Sequence, residues 1–78
     1  MVSPKDFKQI NQYVGSKVEV ELKDGRLALG ILSFYNWEQQ VIHLSDYELN
    51  IPEAEGYSKS VGEIMIINCR DWKTIKVK

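Results

Sequence analysis

The sequence predicts a mainly β domain: an N-terminal helix on a strongly bent, five-stranded antiparallel small barrel. Three observations predict it. Five short runs alternate or saturate in apolar residues, a glycine interrupts the second run, and the connections are short apart from one. Short antiparallel strands with a glycine bend close more readily into a small barrel than into a flat sheet. A chain of 78 residues makes one domain, residues 1–78. So small a domain buries a limited fraction of its surface and gains from assembly with other chains.

The helix is expected over about residues 4–14. Ser3 can cap it, Pro4 suits its first turn, and Asp6 lies near the positive end of its dipole. Phe7, Ile10 and Tyr13 or Val14 recur at helical spacing, and Gly15 ends the segment. In "KVEVELK", Val18, Val20 and Leu22 face a core while Glu19 and Glu21 face water. Asp24-Gly25 marks a tight turn. "RLALGILSFY" is apolar on both faces, with Ala28, Leu32 and Phe34 on one side and Leu27, Leu29 and Ile31 on the other. Gly30 within it predicts a bulge or sharp bend.

After "FYNWEQQ", a hairpin loop, comes the strand "VIHLSD". Pro52, Gly56 and the serines then predict a long, exposed loop over about 47–60. "VGEIMIIN" is another strand with two apolar faces, "CRD" is a short turn, and "WKTIKVK" closes the chain as a strand.

Composition excludes several classes of function. Cys69 is the only cysteine and His43 the only histidine, so no cysteine- or histidine-based metal set is available. A lone cysteine fits a reducing, intracellular setting, and a cytoplasmic location is expected. The N-terminal segment lacks the apolar core of a signal peptide, and no run reaches the length of a membrane span. No nucleophile–base pair or phosphate loop is present, so neither an enzyme nor a cofactor is expected. Net charge is −1, which argues against a broadly basic nucleic-acid binder. The charge is uneven, however. From Glu38 to Glu63 six acids face one base, Lys59, while elsewhere bases outnumber acids. Chance accounts for such a distribution as readily as an acidic segment on a mildly basic body.

The run "VGSKVEVELKDGRLALGIL" has the form G-x-x-V-x-V-x-L-x-D-G-R followed by G-x-L. It resembles the first motif of the Sm and Sm-like (LSm) proteins. "VGEIMII" resembles the start of their second motif. The resemblance implies the SH3-type Sm barrel, and closed rings in which strand four of one subunit pairs with strand five of the next. It also implies binding of single-stranded, uridine-rich RNA near the pore. The residues support such a ring independently, because a bare edge strand with two apolar faces invites pairing. Repeating one head-to-tail contact can close a ring, and the resemblance implies one of about five to seven identical subunits. Ile64, Ile66, Ile67, Ile75 and Val77 are the expected subunit contacts.

The family's first RNA loop has the pattern D-x-x-x-N. Counted from Gly30, Asn36 falls on the aspartate and Gln40 on the asparagine. A glutamine amide carries the same donor and acceptor as asparagine on a longer stem. Trp37 offers a stacking face, whereas Tyr35 matches the family's core aromatic. If Ile42 and Leu44 point inward, the loop is one residue longer than usual, and Gln39 competes with Gln40 for the amide role. In the second motif Ile67-Asn68 stand where the family has Arg-Gly. Asn68 can adopt the left-handed turn of a glycine, but Ile67 cannot supply an arginine's charge. Arg70 either restores a cation at the pore or pairs with Asp71. The expected function is therefore an RNA-binding ring. The alternative is a protein-interaction scaffold that keeps the fold with a degenerate RNA site.

Overall fold

The structure, a computed structural model, describes residues 4–36 and 38–78, with side chains from Gln9 onward except those of Tyr57 and Cys69. A 3-10 helix, Pro4–Tyr13, precedes strands β1 (Lys17–Leu22), β2 (Leu27–Asn36), β3 (Val41–Glu53), β4 (Gly56–Asn68) and β5 (Trp72–Val77). A single 3-10 turn, Cys69–Asp71, joins β4 to β5. All pairings are antiparallel, and the sheet order is β4-β3-β2-β1-β5. Strands β4 and β5 are thus the two ends of the sheet, each paired on one side only.

The helix lies where the pattern places it, but its turns are 3-10. Side chains three apart then eclipse one another. Ile10 is buried and Tyr13 half-buried on one line, whereas Val14 is exposed, so Tyr13 completes the apolar stripe. Gly15 leaves the helix at φ +91°, a conformation that costs glycine little. Its N–H donates to the Leu32 carbonyl at 2.7 Å, and the Leu32 N–H donates to the Ser16 carbonyl at 3.0 Å. These two bonds tie the helix exit to β2.

In β1, Val18, Val20 and Leu22 are buried, as the alternation requires. At the Asp24-Gly25 turn, the Arg26 N–H donates to Asp24 Oδ1 at 3.1 Å and Arg26 Nε to Oδ2 at 2.6 Å. The backbone donor and then the guanidinium charge hold the Asp24 carboxyl below its ordinary range. The core is apolar and draws on every strand: Val18, Ala28, Leu32, Ile42, Leu44, Leu49, Ile67, Trp72 and Ile75 belong to it, with Ile10 from the helix.

A line of bending crosses β2, β3 and β4. Register shifts between Leu29 and Ile31, where Gly30 faces the left-handed Asp46 (φ +50°). An extra residue on one strand of a pair bends and twists it. A Cβ at position 30 would meet the Ser45 carbonyl oxygen at 3.0 Å and the Tyr47 Cα at 3.3 Å, so a larger residue would push the two strands apart by a few tenths of an ångström. On β4, Gly62 pairs with Tyr47 and continues the line.

The expected 47–60 loop is corrected. β3 continues to Glu53 and β4 begins at Gly56, so the segment is a long hairpin with a tip of two residues, Ala54-Glu55. Its one proline, its glycine and its serines mask a partly buried ladder. Leu49 is buried beside Ala28, and Pro52 lies at the hairpin's far end, opposite Tyr57 and close to Gly25. Proline is tolerated there because it need not donate to a continuing ladder. A second correction concerns Phe34. It does not share the inward face with Ala28 and Leu32, because a further register shift between Leu32 and Phe34 turns it outward.

Candidate nucleic-acid interface

Two pieces of chain far apart in sequence meet at one end of the β3–β4 ladder. Val41, the first residue of β3, pairs with Asn68, the last of β4. Residues 38–40 and the 68–71 turn therefore sit side by side. Gln39, Gln40, Asn68 and Arg70 line one open concavity of about 250 Å3. Three primary amides and a guanidinium thus converge on one space, offering both donors and acceptors.

The loop has a defined shape. The Gln39 N–H donates to Asn36 Oδ1 at 2.9 Å, so Asn36 acts as a local cap within the turn. Gln40 adopts φ +55°, the left-handed region that favours glycine. A glutamine held there carries a conformational cost of about 1–2 kcal/mol. Ile42 and Leu44 are both fully buried, so the loop is the longer of the two forms considered. Among the described residues, Arg70 makes no ion pair with Asp71 or any other acid. Asp71 instead accepts the Lys23 N–H through its main-chain carbonyl at 3.0 Å.

The expected site residues divide as follows. Gln39, Gln40 and Arg70 come together. Asn36 turns to a neighbouring concavity with Phe34, Tyr35 and Glu38. Trp37 lies outside the described residues. Asn68 does not take the left-handed turn expected of a glycine stand-in: its backbone is extended (φ −80°, ψ 149°), and it lines the concavity instead. The sequence signal for it is limited to its place as the last residue before the "CRD" turn.

The expected subunit contacts also divide. Ile67 and Ile75 are corrected. Both face the core, Ile67 against Ile42 and Ile75 against Val20, and both are buried within the chain. Ile64, Ile66 and Val77 are exposed, at 57%, 60% and 49%. His43 is half-buried, its ring 4.8 Å from that of Phe34. Among the described residues no group of three or more His, Cys, Asp or Glu could hold a metal ion, and no helix is long and apolar enough to cross a membrane.

No family profile and no curated protein matches the chain. Solved structures do match. A chain of the NatC complex bound to CoA is 22% identical, at a TM-score of 0.73 over 88% of this chain and 83% of that one. A heptameric archaeal Sm protein gives 0.73 with 20% identity, over 91% of this chain and 97% of that one. The P. aerophilum SmAP1 heptamer gives 0.73 with 20% identity, over 91% and 89%. The chain has the Sm-like fold: a small, bent, five-stranded antiparallel sheet preceded by a short helix.

Proposed function

We propose that this protein forms homo-oligomeric rings, of about five to seven subunits, that bind single-stranded and preferentially uridine-rich RNA. The observation that carries the RNA reading is the meeting of Gln39, Gln40, Asn68 and Arg70 in one concavity. The amides supply edge recognition and Arg70 the charge that a phosphodiester requires. Trp37, in the same loop, is proposed as the stacking residue. The ring reading rests on the two open sheet ends and on exposed Ile64, Ile66 and Val77 beside them. Two of the structures that share the fold are heptamers.

A second reading is favoured by a specific pair of observations. Ile67 is in the core where the family has an arginine, and one structure with this fold is a chain of a protein complex, NatC. In that reading the ring is a scaffold for proteins. Titration of labelled oligouridine, oligoadenine and single-stranded DNA at two salt concentrations separates the two. Binding that prefers oligouridine and weakens with salt is expected. Absence of binding at low salt by rings confirmed by light scattering leaves the scaffold reading in its place.

A further inference from the structure

The two ends of the sheet differ in kind: β4 borders a cavity, and β5 carries a single exposed apolar side chain. Leu22, Met65 and Ile67 all face the core side of their strands. Leu22 and Ile67 are buried, and Met65 pairs with buried Leu44 and packs on the core. With Ile66, Arg26 and Asp71 they line a cavity of about 170 Å3. Apolar cavities of about 150 Å3 hold benzene, so this one has room for an aliphatic side chain.

Val77 stands at the other end of the sheet. It pairs with Val18, as Ile75 pairs with Val20, and cross-strand partners share a face. Val77 therefore points to the same side as buried Val18. It is nevertheless 49% exposed, because β5 has no strand on its outer side. Among the described residues of β5 it is the one exposed large apolar side chain. A strand paired along the edge of β4 continues the sheet, and each face of the sheet continues with it. A second copy's β5 laid there brings its Val77 to the face that carries Met65 and Ile67.

The charges of the two edges match in the same sense. Asp71 lines the cavity, and Glu63 shares Met65's side of β4 by alternation. Both are exposed, and neither forms an ion pair among the described residues. Arg26, the base on the cavity, is already held by Asp24 at 2.6 Å. At the β5 edge one carboxylate, Glu19, faces two ammonium groups, Lys78 at 2.9 Å and Lys76 at 3.9 Å, which leaves a positive charge beside Val77. Lys76 pairs with Glu19 on the face opposite Val77, so these lysines do not enter the cavity. They draw a basic edge to an acidic one over a distance of about 10 Å or less, within which salt does not fully screen them. We infer that Val77 of one copy seats in the Leu22, Met65 and Ile67 cavity of the next. That seat rests on the ring reading proposed above and adds to it the side chain and the cavity that fix how subunits meet.

Cysteine pairs in a Cys69→Ser background test the contact. Under a mild oxidant, Val77→Cys with Met65→Cys should cross-link copies into a ladder on a non-reducing gel. Val77→Cys with Val61→Cys should not, since Val61 lies earlier on β4, opposite Glu48. Val77→Ser should raise the concentration of half-dissociation, read by light scattering, at least about tenfold, as the loss of one buried apolar side chain predicts. Val61→Ser, at a valine that is 71% exposed, should leave it unchanged. Asp71→Asn with Glu63→Gln should reduce the salt sensitivity of assembly. An oligomeric parent with no cross-link between positions 65 and 77, with an equal cross-link between 61 and 77, or with a Val77→Ser variant that assembles as before overturns the seat and leaves the ring standing. A monomeric parent overturns the ring and the seat together.

Discussion

The ring of Tyr47 occupies the space in which a side chain at position 62 would begin. A Cβ built on Gly62 would lie 2.6 Å from Tyr47 Cε1 and 2.7 Å from Cζ and Oη. The two residues are cross-strand partners on the line where the sheet bends. A tyrosine over a glycine restores contact area that the glycine lacks and fixes the register of the pair.

Gly62→Ala should therefore destabilise the domain by about 1–3 kcal/mol, the usual cost of overpacking a filled site. Tyr47→Ala with Gly62→Ala should recover part of that loss, since the clash goes with the ring. Denaturant midpoints of the three variants decide this, and additive losses would show that the two side chains are not coupled.

Leu49→Ala tests the corrected hairpin. A mobile 47–60 loop would tolerate it, but a buried leucine pairing with Ala28 should cost about 2–5 kcal/mol. Deleting the tip residues Ala54 and Glu55 alone should cost far less, because both are exposed. Thermal unfolding monitored by circular dichroism measures both.

Gln40→Gly isolates the amide from the fold. Glycine adopts a positive φ without steric cost, so stability should stay within about 1 kcal/mol of the parent. Preference for oligouridine over oligoadenine should fall, while a residual, salt-dependent affinity through Arg70 remains. Arg70→Ala should do the reverse, lowering affinity for all sequences and flattening the salt dependence by a fraction of one ion per strand contact. If both variants bind like the parent, the concavity is not the RNA site.

Ile67→Arg places an arginine where the Sm-like second motif, which this segment resembles, carries one, but it does so in sequence and not in space. The side chain points at Ile42 in the core, and a buried, unpaired charge is strongly unfavourable. The variant should lose several kcal/mol of stability and gain no affinity. Tighter oligouridine binding by a folded Ile67→Arg protein would contradict this.

Ile66→Lys should dissociate the proposed ring while leaving each subunit folded, because Ile66 is exposed in the single chain. Light scattering of the variant and its parent at equal concentration is the measurement. A lysine variant of unchanged mass rules out this face of β4 as a subunit contact.

The strands were legible wherever alternation was clean. Val18, Val20 and Leu22 of β1 face inward as their pattern requires. The errors cluster where the period breaks. Phe34 points outward because one extra residue before it reverses the facing of everything beyond. In "IMII", four apolar residues in a row carry no information about which pair faces the core, so sequence alone does not separate Ile67 from Ile66. The hairpin is not legible in sequence because Pro52, Gly56 and the serines outweigh a weak alternation through Leu49 and Ile51. The site was legible as residue types in two loops. Their meeting depends on the pairing of Val41 with Asn68, a long-range register that local sequence does not encode.

The sheet order β4-β3-β2-β1-β5 has a thermodynamic consequence as well as a geometric one. Each end presents backbone donors and acceptors that only a folded neighbour can meet in register. Whatever pairs there binds the native chain and not the unfolded one, so it draws the folding equilibrium toward the native state by mass action. Dilution then acts as a denaturant. In the proposed ring, the melting temperature of this small domain should rise with protein concentration, and resistance to unfolding becomes a property of the population.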